Sequence, residues 1–439
     1  MHIIIVGASH GGYAAVNGVM AHYPDATIGW YDQGSISVAA AWSHEEDASQ
    51  RRTLAAKGVT LFDGTQVTAL HTEAHQIETK VIATGKTETV HYDKLILSPG
   101  STTRQLPIPG IELDNIQTIP NRQALTTLRQ KLSQQPDMTN ITIVGAGYIG
   151  VSMAESFAKM GKQVTLMDIS DRILARYLAP EFTTELEDAL QDHGVNLVLG
   201  EATKAFIGNH DHQVTAVETD TATYPADLVI LAIGVQPDTA WLKDQLTLLP
   251  NGMIETDDYM QTSAPDVFAI GDATMSRSTL TGARQPIALS GNTRHEARIA
   301  VANLLTPTIP FDGIQGTSAL RLFDYTFAAT GLNQTSAEQA GIPVATIAIK
   351  QPHLLSNTPA AQQATDWFNL FYNPETGAVL GAQLMSTADL TATINVISVA
   401  IQAHFTVQQL AEADLFFQPE FNTPDHIVTT AAQKAVDML

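Results

Sequence analysis

No cysteine occurs among the 439 residues of this chain. Without a thiol the protein cannot form a disulfide, a CxxC redox pair, a cysteine-ligated zinc or iron–sulfur site, or a cysteine nucleophile. Any redox chemistry must therefore depend on another group. The missing thiols exclude these classes of enzyme and metal site, although they do not by themselves identify the redox compartment.

Basic residues are scarce as well: 23 Lys and Arg stand against 45 Asp and Glu, a formal charge of −22. This balance repels a nucleic-acid backbone and an anionic membrane surface, so we expect no nucleic-acid and no membrane partner. No apolar run approaches the ~20 residues that span a bilayer. The short apolar run at residues 3–6 lacks a preceding basic region, which favours a strand over a signal peptide. We expect a soluble, cytoplasmic protein.

Apolar residues make up 44% of the chain, and its length is sufficient for roughly two to four globular domains. The first segment reads as a strand at 2–6, the glycine-rich run GASHGG at 7–12 and then a helix. A second strand at 27–31 ends at Asp32. Ser9 stands where the GxGxxG pattern has its central glycine.

The same order recurs later with all three glycines. A strand at 140–144 enters GAGYIG at 145–150, a helix follows, and a strand at 163–167 ends at Asp168. Glycines let the backbone turn tightly and approach a pyrophosphate, the helix presents free N–H groups, and the acid accepts from ribose hydroxyls. The sequence therefore predicts two nucleotide-binding units.

Three further apolar strands end in turns that can close over a nucleotide. They lead into SPGS at 98–101, GVQP at 234–237 and Gly271-Asp272-Ala273. The Asp272 carboxylate can accept from a sugar alcohol, although an acid after a glycine also occurs in plain turns and helix caps.

From residue 311 onward the pattern changes to strands with helices beside them. Strand-like segments lie at 320–323, 344–349, 367–372 and 378–382, with a hairpin turn at 373–377 and helical spacing from Leu390 to Ile401. This third region contains no obvious chemistry.

The order of the motifs resembles the NADH peroxidase and NADH oxidase branch of the pyridine nucleotide-disulfide oxidoreductase family. The likeness extends over almost the whole chain and is carried by SHGGY at 9–13, YDKLI at 92–96, GYIG at 147–150, GDAT at 271–274, QLMS at 383–386 and FFQP at 416–419. The family implies an α/β fold with two Rossmann-like nucleotide-binding domains and a C-terminal α+β dimerisation domain. The implied ranges are 1–110 with 241–310 for FAD, 111–240 for NAD and 311–439 for dimerisation, in a homodimer or a dimer of dimers.

The resemblance also implies the cofactors, FAD and the co-substrate NADH, and the residues that bind them; it implies no metal. The FAD residues are Gly7, Ser9, His10, Gly11, Gly12, Asp32, Ser98, Arg122, Gly271, Asp272, Ala288, Leu289 and Ser290. The NADH residues are Gly145, Gly147, Tyr148, Ile149, Gly150, Asp168, Tyr177, Gly234 and Ala319. Asp168 and Asp171 would repel the 2′-phosphate of NADPH, whereas Arg172 would attract it, so NADH is the expected substrate.

The sequence departs from the family at the redox-active cysteine. In the family this cysteine lies about ten residues after the acid that is Asp32 here. The equivalent position is Ala41 or Trp42, depending on where a one-residue gap falls. Neither side chain forms a sulfenic acid, so peroxide reduction through a thiol cannot operate.

A flavin accepts a hydride from NADH without a thiol. We therefore expect NADH oxidation with dioxygen as the acceptor and hydrogen peroxide as the product. The alternatives are an NADH dehydrogenase that uses a quinone, peroxide or another small acceptor, one that passes electrons to a protein partner, and a weakly catalytic redox sensor that binds FAD and NADH.

His10 and Tyr148 are the catalytic candidates. The helix start at His10 favours a neutral imidazole, which can act as an acid–base group or simply pack in the turn. The resemblance makes Tyr148 a gate for the nicotinamide, against a packing role. His210 and His212 resemble metal ligands, but a polar hairpin turn explains them better.

Overall fold

The computed structural model describes residues 1–36, 44–104, 106–119, 122–354 and 364–439. Ala41 and Trp42 lie outside these residues, and of Arg122 only the backbone is described. The chain divides into two compact units. The first comprises Met1–Thr102 and Val235–Ile314, and the second Thr103–Gly234 and Gln315–Leu439.

The strands are given in chain order. The first stretch contains β1 (His2–Val6), β2 (Thr27–Tyr31), β3 (Val59–Phe62), β4 (Thr65–His71), β5 (Gln76–Val81), β6 (Thr87–His91), β7 (Lys94–Leu97) and β8 (Ser101–Thr103). Next come β9 (Ile116–Thr118), β10 (Asn140–Val144), β11 (Gln163–Asp168), β12 (Val195–Leu199), β13 (Thr203–Gly208), β14 (Val214–Thr219), β15 (Thr223–Pro225) and β16 (Leu228–Leu231). The last are β17 (Val235–Pro237), β18 (Val267–Ala269), β19 (Ser276–Arg277), β20 (Arg284–Gln285), β21 (Ser318–Leu322), β22 (Tyr325–Gly331), β23 (Ala345–Pro352), β24 (Thr365–Tyr372) and β25 (Val379–Ser386).

The α-helices follow the same chain order. They are α1 (His10–His22), α2 (His44–Ala56), α3 (Arg122–Gln134), α4 (Tyr148–Lys159), α5 (Pro180–Asp192), α6 (Ser290–Ala302), α7 (Gln334–Gln339), α8 (Ile394–Gln402), α9 (Val407–Ala411) and α10 (Ile427–Val436). Among the described residues, no helix is both long and apolar enough to cross a membrane.

A parallel sheet forms the centre of the first unit, in the order β18-β7-β1-β2-β3. The run Ile3-Ile4-Ile5 in β1 is fully buried, as expected for an inner strand of a parallel sheet that is covered on both faces. Helices α1 and α6 pack against each other in this unit. The first unit also contains a separate antiparallel sheet, in the order β4-β5-β6.

The second unit contains two sheets of different kinds. One is parallel, in the order β12-β11-β10-β16-β9, and the other is antiparallel, in the order β21-β22-β25-β24-β23. The predicted α/β class, with two Rossmann-like sheets and an α+β C-terminal region, is thereby confirmed. The residue limits of the three predicted domains stay predictions.

The C-terminal region differs in detail from the pattern prediction. Strand β22 has no counterpart in the prediction, although it pairs with both β21 and β25. The helix expected from Leu390 begins at Ile394, because Thr391–Thr393 form a 3-10 turn. The hairpin turn at 373–377 is confirmed: the Asn373 side chain accepts from the backbone of Glu375.

Candidate functional site

The first glycine loop joins β1 to α1. Gly7 has a φ of +98°, and a Cβ placed there would lie 2.0 Å from the Ser98 carbonyl oxygen. A Cβ on Gly12 would lie 1.8 Å from the carbonyl oxygen of Gly7. Only glycine is compatible with either position, because β1, the loop and α1 approach one another too closely for a side chain.

Asp32 closes this loop from the end of β2. Its carboxylate accepts from the backbone N–H of Ala8 at 2.7 Å and from that of Gly34 at 2.6 Å. The predicted acid is thus fixed beside the glycine loop, and its remaining lone pairs can accept from a ligand hydroxyl.

Ser9 is the N-cap of α1, with a φ of −84°. Gly147 is the N-cap of α4, with a φ of −80°. Because the two residues share an extended conformation that any side chain can adopt, Ser9 does not disturb the first loop. Among the described residues the Ser9 side chain makes no capping bond to α1, and neither α1 nor α4 has an acid in its first turn.

The second glycine loop repeats the backbone of the first. Gly145 has a φ of +107°, and its Cβ would lie 2.4 Å from the Ala232 carbonyl oxygen. A Cβ on Gly150 would lie 1.8 Å from the Gly145 carbonyl oxygen. A Cβ on Gly147, by contrast, would meet no described atom within 4 Å, so packing within the protein does not require glycine there.

Asp168 occupies the place of Asp32 in this second loop. Its carboxylate accepts from Ala146 N–H at 2.6 Å and from Ser170 N–H at 2.8 Å. The Arg172 guanidinium donates to the carbonyl oxygens of Leu178 and Ala175, at 2.6 and 3.1 Å. Arg172 therefore holds its own loop, which strengthens the expectation of NADH over NADPH.

His10 is the first residue of α1, and two charged groups of the first unit influence it. Its Nδ1 lies 3.5 Å from Nη2 of Arg294 on α6. Partial burial lowers the pKa of His10 below its ordinary 6.5, and Arg294 lowers it further, while Asp272 acts in the opposite direction. Since a guanidinium carries only donors, Nδ1 holds the lone pair and Nε2 the proton of a neutral imidazole.

Asp272 lies in the turn that follows β18, where Gly271 has a φ of +78°. Its Oδ2 accepts from the Ser101 hydroxyl at 3.0 Å. Burial raises the pKa of Asp272, whereas the bond from Ser101 and the charge of His10 lower it. The structure therefore places His10 and Asp272 close enough to influence each other.

Four other predicted FAD residues of the first unit lie at the end of β7 and at the start of α6. Ser98 is buried at the end of β7, and its hydroxyl lies 2.4 Å from where a Cβ on Gly11 would be. Ala288, Leu289 and Ser290 lead into α6, with Leu289 as the N-cap.

Tyr148 is the first residue of α4 and belongs to an aromatic cluster. Its ring centroid lies 4.4 Å from that of Tyr177 and 6.2 Å from that of Phe327. The Tyr148 and Ser318 hydroxyl oxygens are 3.2 Å apart. Burial raises the pKa of Tyr148, so its hydroxyl stays neutral at physiological pH.

The loop that carries Tyr177 is held by β25. Gln383, which is 1% exposed, donates to the Tyr177 carbonyl oxygen at 2.8 Å and accepts from Ala179 N–H at 2.9 Å. Asn333 donates to the Arg176 carbonyl oxygen at 3.2 Å. Two side chains of the C-terminal region thus fix the position of Tyr177.

The remaining predicted NADH residues are exposed. Ile149 follows Tyr148 in α4, Gly234 follows β16 with a φ of +93°, and Ala319 lies in β21. Nucleotide binding by these residues and by the rest of the predicted set stays a prediction.

The His210 and His212 motif forms a polar turn between β13 and β14. The Asn209 side chain accepts from the backbone of Asp211 and of Gln213. Across the described ranges of the chain, no group of three or more His, Asp or Glu side chains could hold a metal ion.

Sequence reasoning missed Arg294, Ser318 and the role of Gln383. Arg294 contacts a residue 284 positions away, and the Gln383 bond to Tyr177 spans 206 positions. No local spacing indicates contacts of this kind. A likeness to the family drew attention to QLMS at 383–386 but gave Gln383 no role.

The described residues of the two glycine loops fit the two nucleotides that the motifs predict, FAD and NADH. Both glycine loops end in a helix that offers free N–H groups to an anion, and Gly147 leaves space for a phosphate to approach the backbone. Each loop has an acid at the end of the next strand, with the acid already bonded to the loop.

Comparisons with known proteins agree with this architecture. The pyridine nucleotide-disulphide oxidoreductase family matches residues 1–290, and its dimerisation domain matches residues 317–426. An NADH oxidase of Enterococcus faecalis is 34% identical, covering 100% of both chains. The structure of the water-forming NADH oxidase from Lactobacillus brevis bound to NADH has a TM-score of 0.92 at 30% identity, covering 100% of this chain and 98% of that one. The structure of an FAD-dependent pyridine nucleotide-disulphide oxidoreductase from Desulfovibrio vulgaris has a TM-score of 0.82 at 27% identity. The match covers 100% of this chain and 99% of that one.

Proposed function

Because the chain belongs to the pyridine nucleotide-disulphide oxidoreductase family, we propose that it is an FAD-dependent enzyme that oxidises NADH with dioxygen and forms hydrogen peroxide. The balanced reaction is NADH + H⁺ + O₂ → NAD⁺ + H₂O₂. The observation that carries the proposal is the presence of two complete nucleotide loops in a chain that contains no cysteine.

FAD would be held by the first glycine loop, Asp32, the Ser98 turn and Asp272. When bound, it supplies a ring system that accepts a hydride and passes two electrons to an acceptor. NADH would be held by the second glycine loop and Asp168. The L. brevis relative is named as water-forming. Reduction of dioxygen to water takes four electrons and NADH provides two, so a chain without a redox-active thiol is expected to stop at peroxide.

His10 and Tyr148 would act on the substrates in different ways. The neutral His10 keeps its proton on Nε2, from which it can donate a hydrogen bond to a reduced oxygen species. Tyr148 keeps its hydroxyl proton, and its ring, which lies beside Tyr177 and Phe327 at the start of α4, would act as a gate for the nicotinamide.

The domains and the assembly follow from the same family membership. We assign FAD to residues 1–110 and 241–310, NADH to residues 111–240, and dimerisation to residues 311–439. A homodimer is the expected state in solution, since the dimerisation domain matches residues 317–426.

Oxygen uptake by the flavin-loaded protein with excess NADH tests the reaction. We expect one O₂ consumed per NADH, and about half of the consumed oxygen returned when catalase is added, because catalase releases one O₂ from two H₂O₂. A ratio of two NADH per O₂ with no return would indicate water as the product. A flat oxygen trace with anaerobic bleaching of the flavin by NADH would indicate another acceptor and contradict the proposal.

A further inference from the structure

Glu296 is an acidic residue that is only 2% exposed, on the face of α6 that meets the turn at 271–276. Its Oε2 accepts from Gly271 N–H at 2.7 Å, and its Oε1 accepts from the Ser276 hydroxyl at 2.5 Å. The Thr274 hydroxyl lies 3.5 Å from Oε2. Acids are rarely buried so completely unless they are hydrogen-bonded, and here all the bonds go to one turn.

The turn that Glu296 holds carries Asp272. A Cβ on Gly271 would lie 2.9 Å from Thr293 Cγ2, and the Thr274 hydroxyl donates to the Gly271 carbonyl oxygen at 2.9 Å. Asp272 itself is bonded to Ser101 on the other side. The carboxyl group of Glu296 therefore binds the turn on both sides of Asp272, through the Gly271 N–H and the Ser276 hydroxyl, in addition to the backbone bond from Ile254 N–H to the Ala273 carbonyl oxygen at 2.8 Å.

The negative charge of Asp272 also influences the pKa of Glu296. Burial raises the pKa of Glu296 and the neighbouring Asp272 raises it further, while the bonds from Ser276, Gly271 and Thr274 lower it. Two residues earlier on the same helix, Arg294 contacts His10. Helix α6 therefore contacts His10 and the turn of Asp272, two of the residues predicted to bind the flavin nucleotide in the first unit.

We propose that Glu296 is a positioning residue for FAD: it holds the turn at 271–276 so that the Asp272 carboxylate can accept a hydrogen bond from a sugar hydroxyl of FAD. This inference rests on the proposed function, because it takes Asp272 as an FAD ligand. Glu296 is expected to act through Asp272 and not to contact the cofactor.

Titration of the flavin-depleted full chain with FAD, followed by flavin fluorescence, tests the proposal. We expect Asp272→Ala and Glu296→Leu each to raise the FAD Kd about tenfold, since the first removes the bond to the cofactor and the second removes the bonds that hold the Asp272 turn. The double variant should be no weaker than the single variants, because residues that act through one contact are not additive. Glu296→Gln should stay within about threefold of the parent, since its amide oxygen still accepts from Gly271 N–H.

Two further variants separate positioning from loss of fold. Ser276→Ala removes the donor to Oε1 with little change of volume, and we expect the FAD Kd to rise about threefold. Asn303, which is 3% exposed just after α6, binds the loop at 308–309 through its side chain. Asn303→Leu should lower the melting temperature and leave the FAD Kd unchanged.

The outcomes distinguish the inference from the function that it rests on. If Asp272→Ala leaves the FAD Kd unchanged, both the assigned role of Asp272 and the positioning role of Glu296 are wrong. If Asp272→Ala weakens FAD binding while Glu296→Leu and Ser276→Ala do not, only the positioning role is wrong. Additive losses in the double variant would also overturn it.

Discussion

In the first glycine loop, the Ala8 N–H donates to Asp32 and the Gly7 N–H donates to the last residue of β2. In the second, Ala146 donates to Asp168 and Gly145 to Met167 near the end of β11. The two loops thus share one backbone, one set of bonds and the same collisions at their first and last glycines. Their remaining positions carry different side chains.

The differences begin at the helix N-caps. The N-cap is Ser9 in the first loop and Gly147 in the second. The residue after the N-cap is His10 in the first loop, which is influenced by charged side chains, and Tyr148 in the second, which packs against an aromatic ring. The next position differs again. Gly11 has no space for a Cβ, which would lie 2.8 Å from Thr293, but Ile149 is 47% exposed. Steric contact therefore fixes the backbone of both loops, whereas the intervening side chains determine the chemistry of each loop.

The largest expected effect comes from breaking the shared backbone. Gly12→Ala and Gly150→Ala each place a Cβ 1.8 Å from a carbonyl oxygen, so we expect a loss of about 3 kcal/mol or more in the free energy of unfolding. Gly12→Ala should also be purified without flavin absorbance. Denaturant unfolding and the visible spectrum measure both changes.

Ser9→Ala and Gly147→Ala are the matched controls for the glycine variants. Both positions are extended, and a Cβ at 147 meets no described atom within 4 Å, so the melting temperature should change by less than about 2 °C. Equal destabilisation at Gly147 and Gly150 would contradict the distinction between backbone and ligand positions.

The second prediction concerns the acid of the second loop. Asp168→Ala combined with Ile169→Arg replaces a negative side chain by a positive one, and Ile169 is 76% exposed. We expect the ratio of kcat/KM for NADH to that for NADPH to fall about a hundredfold, because repulsion of the 2′-phosphate becomes attraction. Steady-state kinetics with both nucleotides measure the ratio.

Asp168→Asn alone is the control for that prediction. It removes the charge while its amide oxygen can still accept from one backbone N–H, so the ratio should change less than in the double variant. An unchanged ratio in the double variant would mean that Asp168 does not face the ribose.

The third prediction tests the aromatic cluster of the second loop. Tyr148→Phe keeps the ring contacts but loses the bond to Ser318, so the KM for NADH should change by at most about threefold. Tyr148→Leu loses the ring and should change the KM about tenfold. Ser318→Ala should behave like Tyr148→Phe, and a large additional effect in the double variant would show that the hydroxyl bond is not their shared interaction.

The smallest expected effect concerns the charged surroundings of the first loop. Arg294→Leu removes a cation beside His10, so the pKa of His10 should rise towards its ordinary 6.5. NMR titration of histidines labelled with ¹³C measures this change. Arg298→Leu, on the same helix, should instead raise the pKa of His295 and leave that of His10 unchanged.

The sign of the linked stability change follows from the lowered pKa. Below pH 6.5 the unfolded chain binds a proton at His10 more readily than the folded protein does, so the His10 contribution to the unfolding free energy is lost as the pH falls through this range. The loss should be smaller in Arg294→Leu. A steeper acid dependence in that variant would contradict the assignment.

Much of the fold could be predicted because its signals are local. A strand, a glycine run, a helix and a terminal acid follow one another within about 30 residues, and the structure builds that order twice. Strand β22 was not predicted, because its burial depends on the neighbouring strands β21 and β25. The start of α8 was misplaced by four positions because a 3-10 turn preserves a helix-like pattern.

The candidate site was predictable where one residue type is required by its own backbone. Gly7, Gly12, Gly145 and Gly150 are of that kind, and so are Asp32 and Asp168 at the ends of their strands. The sequence also determined by itself that no thiol takes part in the chemistry, since composition does not depend on folding.

Only the tertiary structure decided which side chains surround those positions. It brings Arg294 to His10, Glu296 to the turn of Asp272, and Gln383 to the loop of Tyr177. It also directs Arg172 to its own loop instead of to a ligand. The physical reason is that periodicity and turn chemistry act between near neighbours in the chain, whereas these contacts form between elements that meet only when the sheets and helices pack.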